Sequence, residues 1–245
     1  MKQIFIFFCL IPGLFCLESG FCEGAADRGV EKNACVILLH GLGRTKHSMA
    51  KIEKRLKALG YITVNHGYPS TEQDIKALAR TYVSEAVNCC NKQSAKKIHF
   101  ITHSLGGILV RQYLQENSVP EGGRVVMLSP PNKGSEIADE LKDAFFYKWI
   151  TGPAGQQLGT DEKSVPHRLK PIDVEVGVIT GNRSFDPWFS TIIPGDDDGK
   201  VSVSRARLEE MNDFLVVENS HAFIMQNPEV IDQIVFFLQE GKFRH

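Results

Sequence analysis

The run ACVILLHG at residues 34–41 is apolar without alternation and stops at a glycine, the pattern of a short strand buried on both faces. Beyond it, Met49, Ile52, Leu56 and Leu59 recur at helical spacing, and Gly60 follows as a C-terminal stop. YITVN (61–65) reads as a second strand. The stretch 70–87, STEQDIKALARTYVSEAV, has a capping box from Ser70 to Gln73 and an apolar face of Ile75, Leu78, Ala79, Tyr82 and Ala86. KKIHFIT (96–102) is a third strand, and LGGILVRQYLQEN (105–117) a helix that turns Leu109, Val110, Tyr113 and Leu114 inward. RVVMLS (124–129), VEVGVIT (174–180) and FLVVE (214–218) add three strands. A closing helix over 228–240 has Asn227 as its cap, Pro228 at its first position and an apolar face of Val230, Ile231, Ile234, Val235 and Leu238. Strands that alternate with helices predict an α/β fold, a mostly parallel sheet with helices on both faces. Such sheets bind ligands beyond the carboxyl ends of their strands, so functional residues are expected just after strands.

Composition narrows the picture. The chain has 245 residues, a formal net charge of −1 and interspersed acids and bases. No basic block points to nucleic acid, and no internal repeat divides the chain, so residues 25–245 read as a single domain. Residues 1–24 differ: Lys2 precedes the apolar run IFIFFCLIPGLFCL, too short to span a membrane comfortably, and small residues follow around Gly24–Ala26. This predicts a signal peptide, cleavage and export to the periplasm or beyond. The exported chain would keep Cys35, Cys89 and Cys90, enough for one disulfide and one free thiol: either Cys35 bridges to Cys89 or Cys90, or all three stay as buried free thiols. There is no CxxC and no His/Cys cluster, so neither a metal nor another cofactor is expected.

The candidate chemistry sits after the strands. Ser104, in ITHSLGG, ends a strand and opens a helix, the turn that lifts a nucleophilic serine above a sheet edge. Gly106 supplies the small residue two positions on, and Thr102 stands where glycine is more usual two positions before. In HGLG, residues 40–43, glycines let the backbone approach a ligand, so the amides of Leu42 and Leu105 are candidates for an oxyanion hole. Of the eight histidines, His221 alone follows the last strand and precedes the closing helix, which marks it as the base; His40, His99 and His103 read as structural. Between serine and histidine, PGDDDGKV offers Asp196, Asp197 and Asp198. The turn glycine and returning valine after Asp198 single it out as the acid that orients His221. The other two read as a solvated loop.

Taken together, VILLHGLGRTKHSM, HFITHSLGGILVRQYL, MLSPPNKGSEIAD, IIPGDDDGKVSVSRARL and ENSHAFIM resemble a bacterial α/β-hydrolase of the lipase/esterase kind, from about residue 35 to the C-terminus. The resemblance implies a reduced α/β-hydrolase sheet of about six strands, with Ser104 as nucleophile, Asp198 as acid, His221 as base and Leu42 and Leu105 as oxyanion donors. The expected activity is hydrolysis of carboxylic esters, either acyl lipids or short acyl esters, with transient contact to a lipid surface. Acyl transfer by the same three residues and a non-catalytic binding module are the alternative readings. Residues 136–171 carry few strand signals and read as a small cap. Within it, Phe145, Phe146, Tyr147, Trp149 and Ile150 are either core residues or an acyl-binding wall, with Phe145, Phe146 and Trp149 the foremost candidates, and FDPWF (185–189) is a second candidate wall.

Overall fold

In the computed structural model, which describes residues 33–120 and 122–245, six strands form one sheet. They are β1 (Ala34–Leu39), β2 (Ile62–His66), β3 (Lys97–His103), β4 (Arg124–Leu128), β5 (Glu175–Gly181) and β6 (Asp213–Val217). Their order is β2-β1-β3-β4-β5-β6, and every neighbouring pair is parallel. The signal-peptide expectation falls on residues 1–24, outside the described residues.

Alternation along β1 explains why its apolar run is continuous. Cys35, Ile37 and Leu39 enter one core, and Val36 and Leu38 enter another on the opposite face. The first core is covered by α2 (Ile75–Leu78), α3 (Ser84–Lys92) and α4 (Leu105–Tyr113). The second is covered by α1 (Ala50–Ala58), through Ile52 and Leu56, and by the closing helix Pro228–Glu240, through Val230, Ile231, Ile234, Val235 and Leu238. A nine-residue helix such as α1 is too short to persist alone in water, so burial of its apolar face on the sheet sustains it. Each fully buried Leu or Ile contributes about 1.5–3 kcal/mol, which outweighs propensity differences along the helix.

The chain runs from β1 outward to β2, then returns to place β3 on the other side of β1. The connections therefore reverse direction between β1 and β3, and a crevice opens at the carboxyl ends of these two strands. Between β4 and β5 the chain makes α5 (Glu136–Leu141), α6 (Phe145–Gln156) and α7 (Val165–Arg168). α8 (Pro187–Ile192) and α9 (Val203–Ala206) follow β5, and the closing helix is α10.

One predicted boundary moves. Ser70 does not cap a helix: α2 begins at Ile75 with Asp74 as its cap, the Asp74 carboxylate accepting from Ala77 N at 2.8 Å. The buried Ser70 hydroxyl instead accepts from the Gly43 amide at 2.9 Å, a long-range bond that the local pattern could not reveal. From α2 the helix continues through a π-helical segment, Ala79–Val83, into α3.

Of the two pairings left open, Cys35 bonds to Cys90, with a Cα–Cα distance of 5.8 Å. One residue along a helix turns a side chain by about 100°, so Cys90 faces β1 while Cys89 is exposed and free. The bridge spans a sequence separation of 55, for which loop-closure entropy amounts to about 4 kcal/mol. Replacing Cys35 and Cys90 together by alanine should therefore lower unfolding free energy by several kcal/mol in a denaturant titration. Cys89→Ser should leave the midpoint almost unchanged.

Candidate active site

The crevice between β1 and β3 is closed by two loops in direct contact. Ser104 follows β3 with φ 52° and ψ −120°, a conformation that costs an L-residue about 1–3 kcal/mol. Its amide donates to Leu128 O at 2.9 Å, and its carbonyl accepts from Gly107 N as α4 begins. The neighbouring residues must be small: a Cβ at position 106 would lie 2.7 Å from Leu39 O. Thr102 is accommodated because Gly107 leaves space beside it, where a Cβ would stand 3.3 Å from Thr102 Oγ1. The loop after β1 presses on the same turn, since a Cβ at Gly41 would come within 2.7 Å of His103 Nδ1.

His40 holds that loop. Its Nδ1–H donates to Gly41 O at 2.9 Å, and its ring stacks on Tyr68 at 4.1 Å. Tyr68 in turn donates its hydroxyl to His40 O. With Gly43 bound to Ser70, the backbone on either side of Leu42 is fixed, and Leu42 lies in the cavity wall near Ser104. Leu105 is the first residue of α4, where helix amides lack intrahelical partners and carry partial positive charge.

His221 follows β6 and Asp198 lies between β5 and β6. The imidazole Nδ1–H donates to Asp198 Oδ2 at 2.9 Å, and the His221 amide donates to Asp198 O, also at 2.9 Å. Asp198 Oδ1 accepts the amides of Lys200 at 3.0 Å and Val201 at 2.9 Å, so both carboxylate oxygens of this buried side chain are satisfied. Glycine is required at 181 for this approach, because a Cβ there would meet Asn219 O at 2.1 Å. Asp197 is not a solvated loop residue: it is buried, and its Oδ1 accepts from Gly199 N and the Ser190 hydroxyl. The turn needs that acceptor to close. Asp196 is exposed, as expected. Among the described residues no cluster of three or more metal-ligating side chains occurs.

Ser104, Asp198, His221 and Leu42 share the wall of one cavity of about 530 Å³. Ile137, Tyr147, Ile150, Leu158 and Val201 form its apolar side. Here both sequence readings of Phe145, Phe146 and Trp149 are corrected. Phe145, Phe146 and Trp149 are 85%, 58% and 79% exposed, neither core nor cavity wall. The helix inserts Tyr147, Ile150 and Thr151 instead, positions on the opposite side of its turn. Of the second candidate wall, Phe185 and Asp186 line the cavity.

Three charged or titratable wall residues were not singled out by the sequence pattern as part of the site. His103 donates from Nε2 to His221 O at 3.0 Å, and burial holds it well below the ordinary histidine value, hence neutral. Arg44 donates to Ala222 O at 3.2 Å, its guanidinium pushed below the usual range by burial. Lys200 also lines the cavity, its ammonium lying 3.6 Å from the Phe189 ring centroid. Proximity of Arg44 and His103 to the two loops was a signal, but their contacts run to a segment far along the chain. A hydroxyl, an imidazole and a buried carboxylate on one cavity wall are the groups that general-base-assisted nucleophilic attack requires.

Residues 30–151 match the family described as "Putative serine esterase (DUF676)", a span that holds Leu42, Ser104 and Leu105 and ends before Asp198 and His221. No curated protein matches the chain. Similar solved structures include the mature lipase BlEst2 of Bacillus licheniformis, 16% identical over 88% of this chain and 96% of that one, with a TM-score of 0.70. Phospholipase PlaB from Legionella pneumophila is 19% identical over 86% of this chain and 60% of its own, with a TM-score of 0.65. An esterase from Thermogutta terrifontis is 11% identical over 86% and 91%, with a TM-score of 0.55. The six-stranded parallel sheet is thus an α/β-hydrolase fold.

The strain at residue 104 has a measurable consequence. Ser104→Gly should raise thermal stability, by about 1 kcal/mol, because glycine adopts a positive φ without steric cost.

Proposed function

We propose that this chain, an α/β-hydrolase of the lipase and esterase kind, is an exported serine hydrolase that cleaves carboxylic esters through Ser104, His221 and Asp198. The observation that carries the reading is the 2.9 Å bond from His221 Nδ1 to Asp198, in a cavity wall that also contains Ser104. With Nδ1–H committed to the carboxylate, Nε2 is the nitrogen left to accept a proton. Ser104 Oγ attacks the ester carbonyl carbon as His221 Nε2 takes its proton. Negative charge develops on the carbonyl oxygen and is met by the amides of Leu42 and Leu105. The protonated imidazole then gives its proton to the leaving alkoxide, an acyl-enzyme forms on Ser104, and water releases the acid by the same steps.

The proposed substrate class follows from the apolar residues that share this wall. Tyr147, Ile150 and Leu158 offer apolar contact to an acyl chain, at up to about 0.8 kcal/mol per buried methylene. Phe145, Phe146, Trp149 and Ile150 are exposed, as are Phe185, Trp188 and Phe223, with the Phe185 and Phe223 rings 6.1 Å apart. Ile150 and Phe185 belong both to this exposed set and to the cavity wall, so the apolar surface reaches the mouth. Such a rim favours transient contact with a lipid surface and hence acyl-lipid esters. The Cys35–Cys90 disulfide supports export, since thiols stay reduced in most cytosols.

A fluorophosphonate probe and a p-nitrophenyl ester series from acetate to palmitate test the reading. Ser104→Ala and His221→Ala should each abolish nearly all turnover, and Asp198→Asn should reduce it by about 10⁴-fold through loss of the correct tautomer. Wild-type turnover in Ser104→Ala would refute the mechanism.

The rim carries its own expectation. Replacing Phe145, Phe146 and Trp149 by alanine should leave the unfolding midpoint within about 0.5 kcal/mol of wild type, because the side chains are exposed. The same change should reduce hydrolysis of a micellar long-chain ester more than that of a soluble acetate. Equal loss on both substrates would remove the rim from substrate access.

A further inference from the structure

Arg44 sits two residues beyond Leu42 and lines the cavity, and its guanidinium donates to Ala222 O in the His221 loop. The acids of that wall are already engaged. Asp198 is committed to His221 and to two backbone amides. Lys200 covers the Phe189 ring; burial pulls its ammonium below the usual lysine range, and the charges of Asp186 and Asp198 only partly oppose that shift. Asp186 additionally caps α8 by accepting from Phe189 N. Arg44 has only a backbone carbonyl, Ala222 O, and among the described residues no carboxylate pairs with it. A half-buried guanidinium without a counter-ion is costly to hold, and its planar fork matches phosphate and carboxylate oxygens.

We propose that Arg44 binds an anionic group of the substrate, a phosphate or carboxylate a few atoms from the scissile ester, so that the preferred substrate is an anionic amphiphilic ester. The inference rests on the ester-hydrolase reading above and specifies its substrate. The acyl chain lies along Ile137, Tyr147, Ile150 and Leu158, and the anion is met where Arg44 adjoins the Leu42 loop. A competing role is purely mechanical: through Ala222 O, Arg44 ties the loop after β1 to the loop that carries His221. The two roles differ in one respect. A mechanical tie serves every substrate alike, whereas anion recognition serves only charged ones.

The experiment compares paired esters of equal acyl length in neutral detergent micelles. Dioctanoyl phosphatidylglycerol is paired with dioctanoylglycerol, and octanoyloxyacetate with ethyl octanoate. The wild type should favour the charged member of at least one pair in kcat/KM. Arg44→Gln should reduce that charged-to-neutral ratio about tenfold or more, the scale of a charge-assisted hydrogen bond, and Arg44→Lys should reduce it less. A fall confined to the phosphatidylglycerol pair assigns the anion as a phosphate; a fall in both pairs assigns it as either anion. Equal loss on charged and neutral esters, with the ratio unchanged, would overturn the proposal and leave Arg44 as the tie between loops. Should Arg44→Gln fail to fold, the ratio in Arg44→Lys decides the same question. Absence of fluorophosphonate labelling in the wild type would instead overturn ester hydrolysis itself.

Discussion

The backbone at Ser104 stands in a region that L side chains avoid, and much of the site is arranged to hold it there. The strain is opposed by backbone hydrogen bonds to β4 and into α4, and by close contacts that only glycines at 41 and 106 permit. Relaxation of the turn would require β3, α4 or the loop after β1 to move, and each is anchored in a buried core. A sheet buried on both faces can therefore keep one serine in a conformation that an exposed loop would lose.

Parallel strands make the convergence possible. All six carboxyl ends point the same way, so segments far apart in sequence meet at one edge: residues 41–44 after β1, Ser104 after β3, Asp198 after β5 and His221 after β6. The reversal of strand order between β1 and β3 opens the space that the ligand needs. His103 then links two of these segments, one ring atom facing Gly41 and the other bonded to His221 O. Its neutrality suits this role, because a charged imidazole so deeply buried would cost several kcal/mol and would repel a protonated His221.

The cavity wall is chemically mixed. The wall combines apolar residues, of which Ile150 and Phe185 are also exposed, with polar and charged groups whose acids are engaged with specific partners.

Much of this was legible in the chain because it depends on short-range pattern. Continuous apolar runs become central strands whenever both faces are covered, and β1 reads that way whatever its partners. Ser104, Asp198 and His221 were legible for a related reason: each immediately follows or lies between strands, and parallel topology brings strand ends together. Tertiary structure alone decided the rest. Ser70 is not a helix cap because the Gly43 amide, 27 residues away in sequence, claims its hydroxyl. Cys90 rather than Cys89 meets Cys35 because the phase of α3 on the sheet orients one and exposes the other. Phe145, Phe146 and Trp149 lie outside the cavity because α6 is docked with Tyr147, Ile150 and Thr151 inward, and an all-round apolar stretch carries no periodicity to say which side will face in. Arg44 acquired its place through the carbonyl of Ala222, 178 residues later, a contact that exists only once the sheet has brought the two loops together.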